Sequence, residues 1–122
     1  MRSRSNLAIP AILFLATAFA VAPVRAGALY FEKVPVATGS EATCMTFASD
    51  VARTLQFAGV HRNASEVAGV KDGAYVALTC VGRGGQSAIG IVMSTSDSFD
   101  VARSVGHAAA DRFKGLRCTD TC

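Results

Sequence analysis

The chain has no tryptophan, two tyrosines and three prolines in 122 residues. With so few large rings, its packing rests on alanine and mid-sized aliphatic side chains, which bury less apolar area per residue. A core built that way is thin, and a disulfide, typically contributing about 2–4 kcal/mol, would reinforce it. Also missing is any Ser/His/Asp set or identifiable pair of carboxylates, and there are only two histidines to recruit for acid–base or metal chemistry. No catalytic residues and no cofactor are therefore assigned from sequence. An excess of charge is missing too, once its position is considered. The formal +3 counts Arg2, Arg4 and Arg25; the remaining nine Lys/Arg balance nine Asp/Glu. A balanced surface gives no electrostatic reason to bind nucleic acid or an anionic membrane.

What is present begins with the leader. Met1 to Asn6 carries two arginines and no acid, and Leu7 to Ala22 is an uncharged apolar run. Pro23-Val24-Arg25-Ala26 follows, with Val24 and Ala26 at the small-residue positions before a cut between Ala26 and Gly27. This is the layout of a cleavable signal peptide over 1–26. A spanning helix needs about 20 apolar residues, whereas this run has 16, with Pro10 inside it. Glycine rather than cysteine after the cut argues against a lipoprotein. The expectation is an exported protein, periplasmic or secreted, with no stable membrane anchor after cleavage and one small domain over 27–122.

Within that domain, Ala28 to Val36 reads as an edge strand, with Leu29, Phe31, Val34 and Val36 on its apolar side, Glu32 and Lys33 facing outward and Pro35 limiting its pairing. Ser40 is placed to cap a helix from Glu41 to Ala58, whose Cys44, Phe47, Ala48, Val51, Leu55 and Ala58 align on one face. Gly59 is the expected stop, and His61 to Ser65 reads as loop. Glu66–Val70, Ala74–Val81 and Ser87–Ser94 form a meander through Asp72-Gly73 and the glycine-rich 82–85 reversal. Ile89, Ile91 and Met93 share one side of its third strand. Asp97 opens a second helix to Lys114, with Phe99, Ala102, Val105, Ala109 and Phe113 as its stripe. The expected fold is α+β, a two-layer sandwich of ferredoxin-like character. About four mainly antiparallel strands, in the order β-α-β-β-β-α, carry both helices on one face.

Four cysteines, Cys44, Cys80, Cys118 and Cys122, imply disulfides in an exported chain. If both helices begin at one end of the sheet, Cys44 lies there and Cys80 at the other. Cys80 then fits Cys118 or Cys122 better than Cys44, but Cys44 is left without a neighbour. The alternative, Cys44–Cys80 with Cys118–Cys122, demands a different strand order, and the sequence leaves both open. Cys118-x-x-x-Cys122 is not the redox spacing of thioredoxin-like proteins, nor half of a matched zinc site. His61, placed to meet the helix's last carbonyls, His107, beside Arg103 and Asp111 on a wet face, and Met45 and Met93 show no ligand spacing. Gly82-Arg83-Gly84-Gly85 precedes a strand rather than a helix, so it reads as a hairpin and not a phosphate loop. Asn63-Ala64-Ser65 matches a glycosylation acceptor, which matters only in a eukaryotic secretory route.

These readings point to a non-enzymatic exported domain that binds a protein or small ligand through one sheet face or its helix pair. A homodimer fits equally, because an apolar open face needs cover. The alternative is a small metal-binding or thiol-dependent periplasmic protein or enzyme.

Overall fold

Residues alternate between covered and exposed along Ala28–Pro35, which forms β1. The computed structural model describes residues 27–119, so the segment expected to be a cleavable signal, Ala26 at its expected cut and Cys122 lie outside the described residues. β1 turns Tyr30, Glu32 and Val34 toward the helices and leaves Leu29, Phe31 and Lys33 on the other side. That splits the expected apolar set and turns Glu32, expected outward, toward the helices. The core takes Val34 and Val36, while Leu29 and Phe31 stay exposed.

Helix α1 spans Glu41–Thr54. Ser40 caps it as expected, its Oγ accepting from the Thr43 N–H at 3.2 Å. The buried stripe is Cys44, Met45, Phe47, Ala48, Val51 and Ala52. The helix ends four residues sooner than the spacing predicts, and Gly59 is not its stop. Gln56 takes the left-handed conformation at φ 57°. Its N–H donates to Arg53 O, and that of Phe57 donates back to Ala52 O at 2.9 Å. This paired closure is the Schellman motif, and it swings Phe57 into the core. A left-handed residue with a Cβ is strained by about 1 kcal/mol, partly offset on replacement by glycine's extra freedom when unfolded. Gln56→Gly is therefore expected to stabilise the fold by roughly 0.5 kcal/mol, seen as a rise of a few degrees in thermal midpoint.

Ala58–Arg62, where the end of the helix, its Gly59 stop and the start of a loop are expected, is strand β2. All five residues are exposed, so no alternation advertised it; the backbone ladder to β3 (Glu66–Lys71) holds it instead. Gly59 lies in this strand at the register break between Ala58 and His61. The meander continues through β4 (Ala74–Arg83) and β5 (Gln86–Ser96). Asp72 and Gly73 both have positive φ, as do Gly84 and Gly85, which matches two-residue hairpins of the type that suits strand twist.

Helix α2 spans Phe99–Gly115 and begins after Ser98, so Asp97 is not its cap; Ser98 makes no side-chain capping bond. Asp100 does lie in its first turn. Ala102, Val105, Gly106, Ala109, Ala110 and Phe113 face inward, and Phe99, expected in that stripe, is 54 % exposed.

The five-stranded sheet has the order β1-β5-β4-β3-β2, every neighbouring pair antiparallel. The α+β two-layer class is as expected, with one more strand than the four predicted. β1 and β2 lie at opposite edges, rather than around a shared neighbour as a split unit would have them. α1 packs over β3 and β4 and α2 over β1 and β5. Since β1 and β4 both pair antiparallel with β5, they run the same way. α1 therefore begins at the end of the sheet where β4 finishes, and α2, following β5, ends there. The two helices are antiparallel rather than starting together. Asp50 of α1 accepts from Arg112 of α2 at 2.8 Å and also pairs with Arg53, tying the layer together.

Candidate functional site

One face of the sheet carries the helices; the other shows an apolar lattice laid out by the registers. Leu29, Thr95, Tyr75 and Val70 form one row across β1, β5, β4 and β3. Phe31, Met93, Ala77 and Ala68 form the next, then Lys33, Ile91, Thr79 and Glu66. Pro35, Ile89 and Val81 extend it toward the glycine hairpin. Phe31 is 49 % exposed, Tyr75 42 % and Val81 44 %, while Ala68 and Ala77 between them are covered by their neighbours. Contiguous exposure of this kind marks interaction surfaces more often than scattered apolar residues do. Ile89, Ile91 and Met93 share a side as the alternation predicts, and it is this outer side. The inner side of β5 holds the smaller Ala88, Gly90, Val92 and Ser94.

The rims are polar. At the β2 edge His61 stacks on Tyr75 with ring centroids 6.3 Å apart, and its Nε2 lies 3.4 Å from Glu66 Oε1. With α1 already ended at Thr54, His61 serves this edge and not the helix carbonyls. At the other edge Lys33 lies over the Phe31 ring.

A second cluster bridges β1 and α2 on the helix side. Tyr30 OH donates to Glu32 Oε2, and His107 Nδ1 lies 3.2 Å from the same oxygen. The other ring nitrogen of His107 faces Asp111 at 3.4 Å. His107 thus has the acidic neighbour on its own helix that the sequence suggests, plus Glu32, which only the fold brings to it. The hydrogen bond from Tyr30 holds the Glu32 carboxyl below its ordinary value, with burial opposing, and raises the Tyr30 phenol to about 12. Hydrogen bonds from Arg112 and Arg53 lower Asp50 likewise. Lowered carboxyls stabilise the fold above their ordinary values, 4.5 for Glu32 and 3.8 for Asp50, and that stability is lost as pH falls through the folded values. The raised phenol acts in reverse: its contribution is complete below 10.0 and disappears as pH rises toward about 12. Thermal melts against pH are expected to fall off on both flanks. Asp50→Asn should flatten the acid flank and Tyr30→Phe the alkaline one.

The sequence-derived candidates do not converge on one reactive centre. Cys44 and Cys80 are bonded to each other with Cα atoms 6.0 Å apart, which overturns the better-fitting pairing of Cys80 with a C-terminal cysteine. The reason is the shared direction of β1 and β4, which puts the start of α1 over the end of β4; Glu41 Oε2 accepts from the Gly82 N–H at that junction. Cys118 is disulfide-bonded as well. His61 and His107 belong to elements at opposite edges, Met45 is buried in the core and Met93 is on the outer face. Among the described residues no group of three His, Cys, Asp or Glu is placed to hold a metal, and no helix there is long and apolar enough to cross a membrane. Gly82 to Gly85 form a hairpin, with Arg83 Nε donating to Ser87 O. Asn63 Oδ1 accepts from the Ser65 and Glu66 N–H groups, so the 63–65 triplet closes the β2–β3 turn.

Comparison with protein families, with curated proteins and with solved structures finds no match to this chain.

Proposed function

We propose that this chain is an exported binding module that docks an apolar partner surface on the open face of its sheet. The observation that carries this reading is the set Leu29, Phe31, Tyr75, Val70 and Val81, each more than 40 % exposed on a face opposite both helices. Antiparallel sheets with one wet face ordinarily alternate apolar with polar residues; here β5 is apolar on both sides over Ile89–Met93. Export agrees with the disulfide, since such bonds persist in oxidising compartments, and with the leader over 1–26. The competing thiol or metal reading has less support. Cys44, Cys80 and Cys118 are all in disulfides, so none offers a thiolate.

Photo-crosslinking in the producing cell tests the reading directly. A photoreactive phenylalanine analogue at position 31 should give discrete covalent adducts, and the same group at Thr46, exposed on α1, should give none. Adducts from Thr46 alone would sink it. Intact mass of the recovered protein should correspond to a chain starting at Gly27; an uncut precursor would remove the export half of the proposal.

A further inference from the structure

The lattice on the open face has a symmetry that names its occupant. We infer that a second copy of this chain covers the sheet, with a twofold axis parallel to the strands and passing between β5 and β4. The inference rests on the proposal that this face is a docking surface.

The argument is one of register. Such an axis lays the β1, β5, β4 and β3 positions of each row over themselves in reverse, with β2, whose His61 continues the second row beside Ala68, outside the overlap. In the second row Phe31 then lies over the Ala68 position of the other copy and Met93 over Ala77, so the two large side chains face the two smallest positions of the row. In the first row Leu29 meets Val70 and Tyr75 meets Thr95. In the third, Lys33 meets Glu66 and Ile91 meets Thr79. Size and charge are therefore complementary position by position, as an isologous interface requires of a single patch. An axis running across the strands between the second and third rows instead exchanges those two, placing Lys33 over Phe31 and Glu66 over Ala68. Glu66 would then be covered by an apolar group, which is costly for an unpaired ion. The parallel axis also matches the aligned packing in which two twisted sheets normally stack, about 10 Å apart.

The charged pair makes the arrangement testable because it is not coupled within one chain. Lys33 on β1 and Glu66 on β3 are separated by β5 and β4, three strand spacings or roughly 14 Å. Glu66 has His61 as its neighbour and Lys33 has the Phe31 ring. Across the twofold axis each pair occurs twice.

The experiment is sedimentation of the purified protein over a concentration series, with Lys33→Glu, Glu66→Lys and the double exchange. The parent is expected to dimerise. Each single change places two like-charged pairs in the interface and should weaken association at least about tenfold. The double exchange should return it to within about threefold of the parent. Both sites are at least partly exposed, so thermal midpoints measured on dilute protein should remain near the parent's, confirming that folding is not the variable. A dimer indifferent to both single changes, or one not restored by the exchange, overturns the inferred axis. A protein that stays monomeric at every concentration overturns self-docking altogether. In that last case the crosslink from position 31 separates the two claims. An adduct with a different exported protein leaves the docking face standing, and no adduct removes both.

Discussion

Cys44→Ala/Cys80→Ala is expected to cost about 3–4 kcal/mol, enough to leave the domain near the edge of folding. The bond joins residues 36 apart in sequence, and closing a loop of that length in the unfolded chain corresponds to about 3–4 kcal/mol in the chain-entropy account. A domain of this size has on the order of 5–15 kcal/mol in total. Since each 1 kcal/mol moves the midpoint by about 4–8 °C at this length, the thermal midpoint should fall by roughly 12–30 °C. The bond lies between the first turns of α1 and the end of β4, and both sulfurs belong to residues in the main core cluster. Alanine at these two positions thus removes some packing as well as the constraint. Reduction of the native bond isolates the constraint: melting the parent with and without a strong reductant should reproduce most of the loss. A reduced protein that melts with the oxidised one would show that the bond is incidental. The functional reading depends on the same result, because a sheet with one bare apolar face has only its helix side to hold it together as a monomer.

How much of the fold is legible in the sequence follows from where its signals come from. α1 and α2 were legible through the three- and four-residue spacing of their buried side chains, and the Asp72-Gly73 turn through chemistry that few other sites share. β2 was illegible for the opposite reason: all five of its residues are exposed, so the only thing that makes it a strand is its backbone pairing. The end of α1 was misplaced because Gln56, not a glycine, takes the left-handed position; the need to bury Phe57 outweighs the local preference. The disulfide was left open because it depends on the relative direction of β1 and β4, a property of the whole sheet. The open face was half visible. A strand apolar at Ile89, Ile91, Val92 and Met93 must be covered on two sides, but which side faces the helices is decided by Gly90, too small to announce itself.

Phe113→Ala is expected to destabilise by about 3–5 kcal/mol, the usual range for emptying a buried phenylalanine site, and the reason lies in that same Gly90. Phe113 is fully buried near the C-terminal end of α2, and its ring rests directly on the backbone of β5. A Cβ added to Gly90 would stand 2.6 Å from Phe113 Cε1, 2.9 Å from Cδ1 and 3.0 Å from Val36 Cγ2. None of those atoms has open space to move into, so Gly90→Ala should itself cost about 1–3 kcal/mol through overpacking. The two sites are one contact, and their effects should not add. In a Phe113→Leu background the ring edge that collides with a new Cβ is gone. Gly90→Ala should then cost at least about 1 kcal/mol less than it does in the parent, as contacting residues couple by roughly 0.5–3 kcal/mol. Denaturant unfolding of the four proteins in this cycle measures the difference. Additive losses would mean that Gly90 is small for some other reason. A clear coupling would tie the thinness of the core to the character of the outer face. β5 gives its inner positions to Gly90 and Ala88 so that α2 can lie close, which leaves Ile89, Ile91 and Met93 as its large side chains, pointing away from the helices and toward whatever the sheet binds.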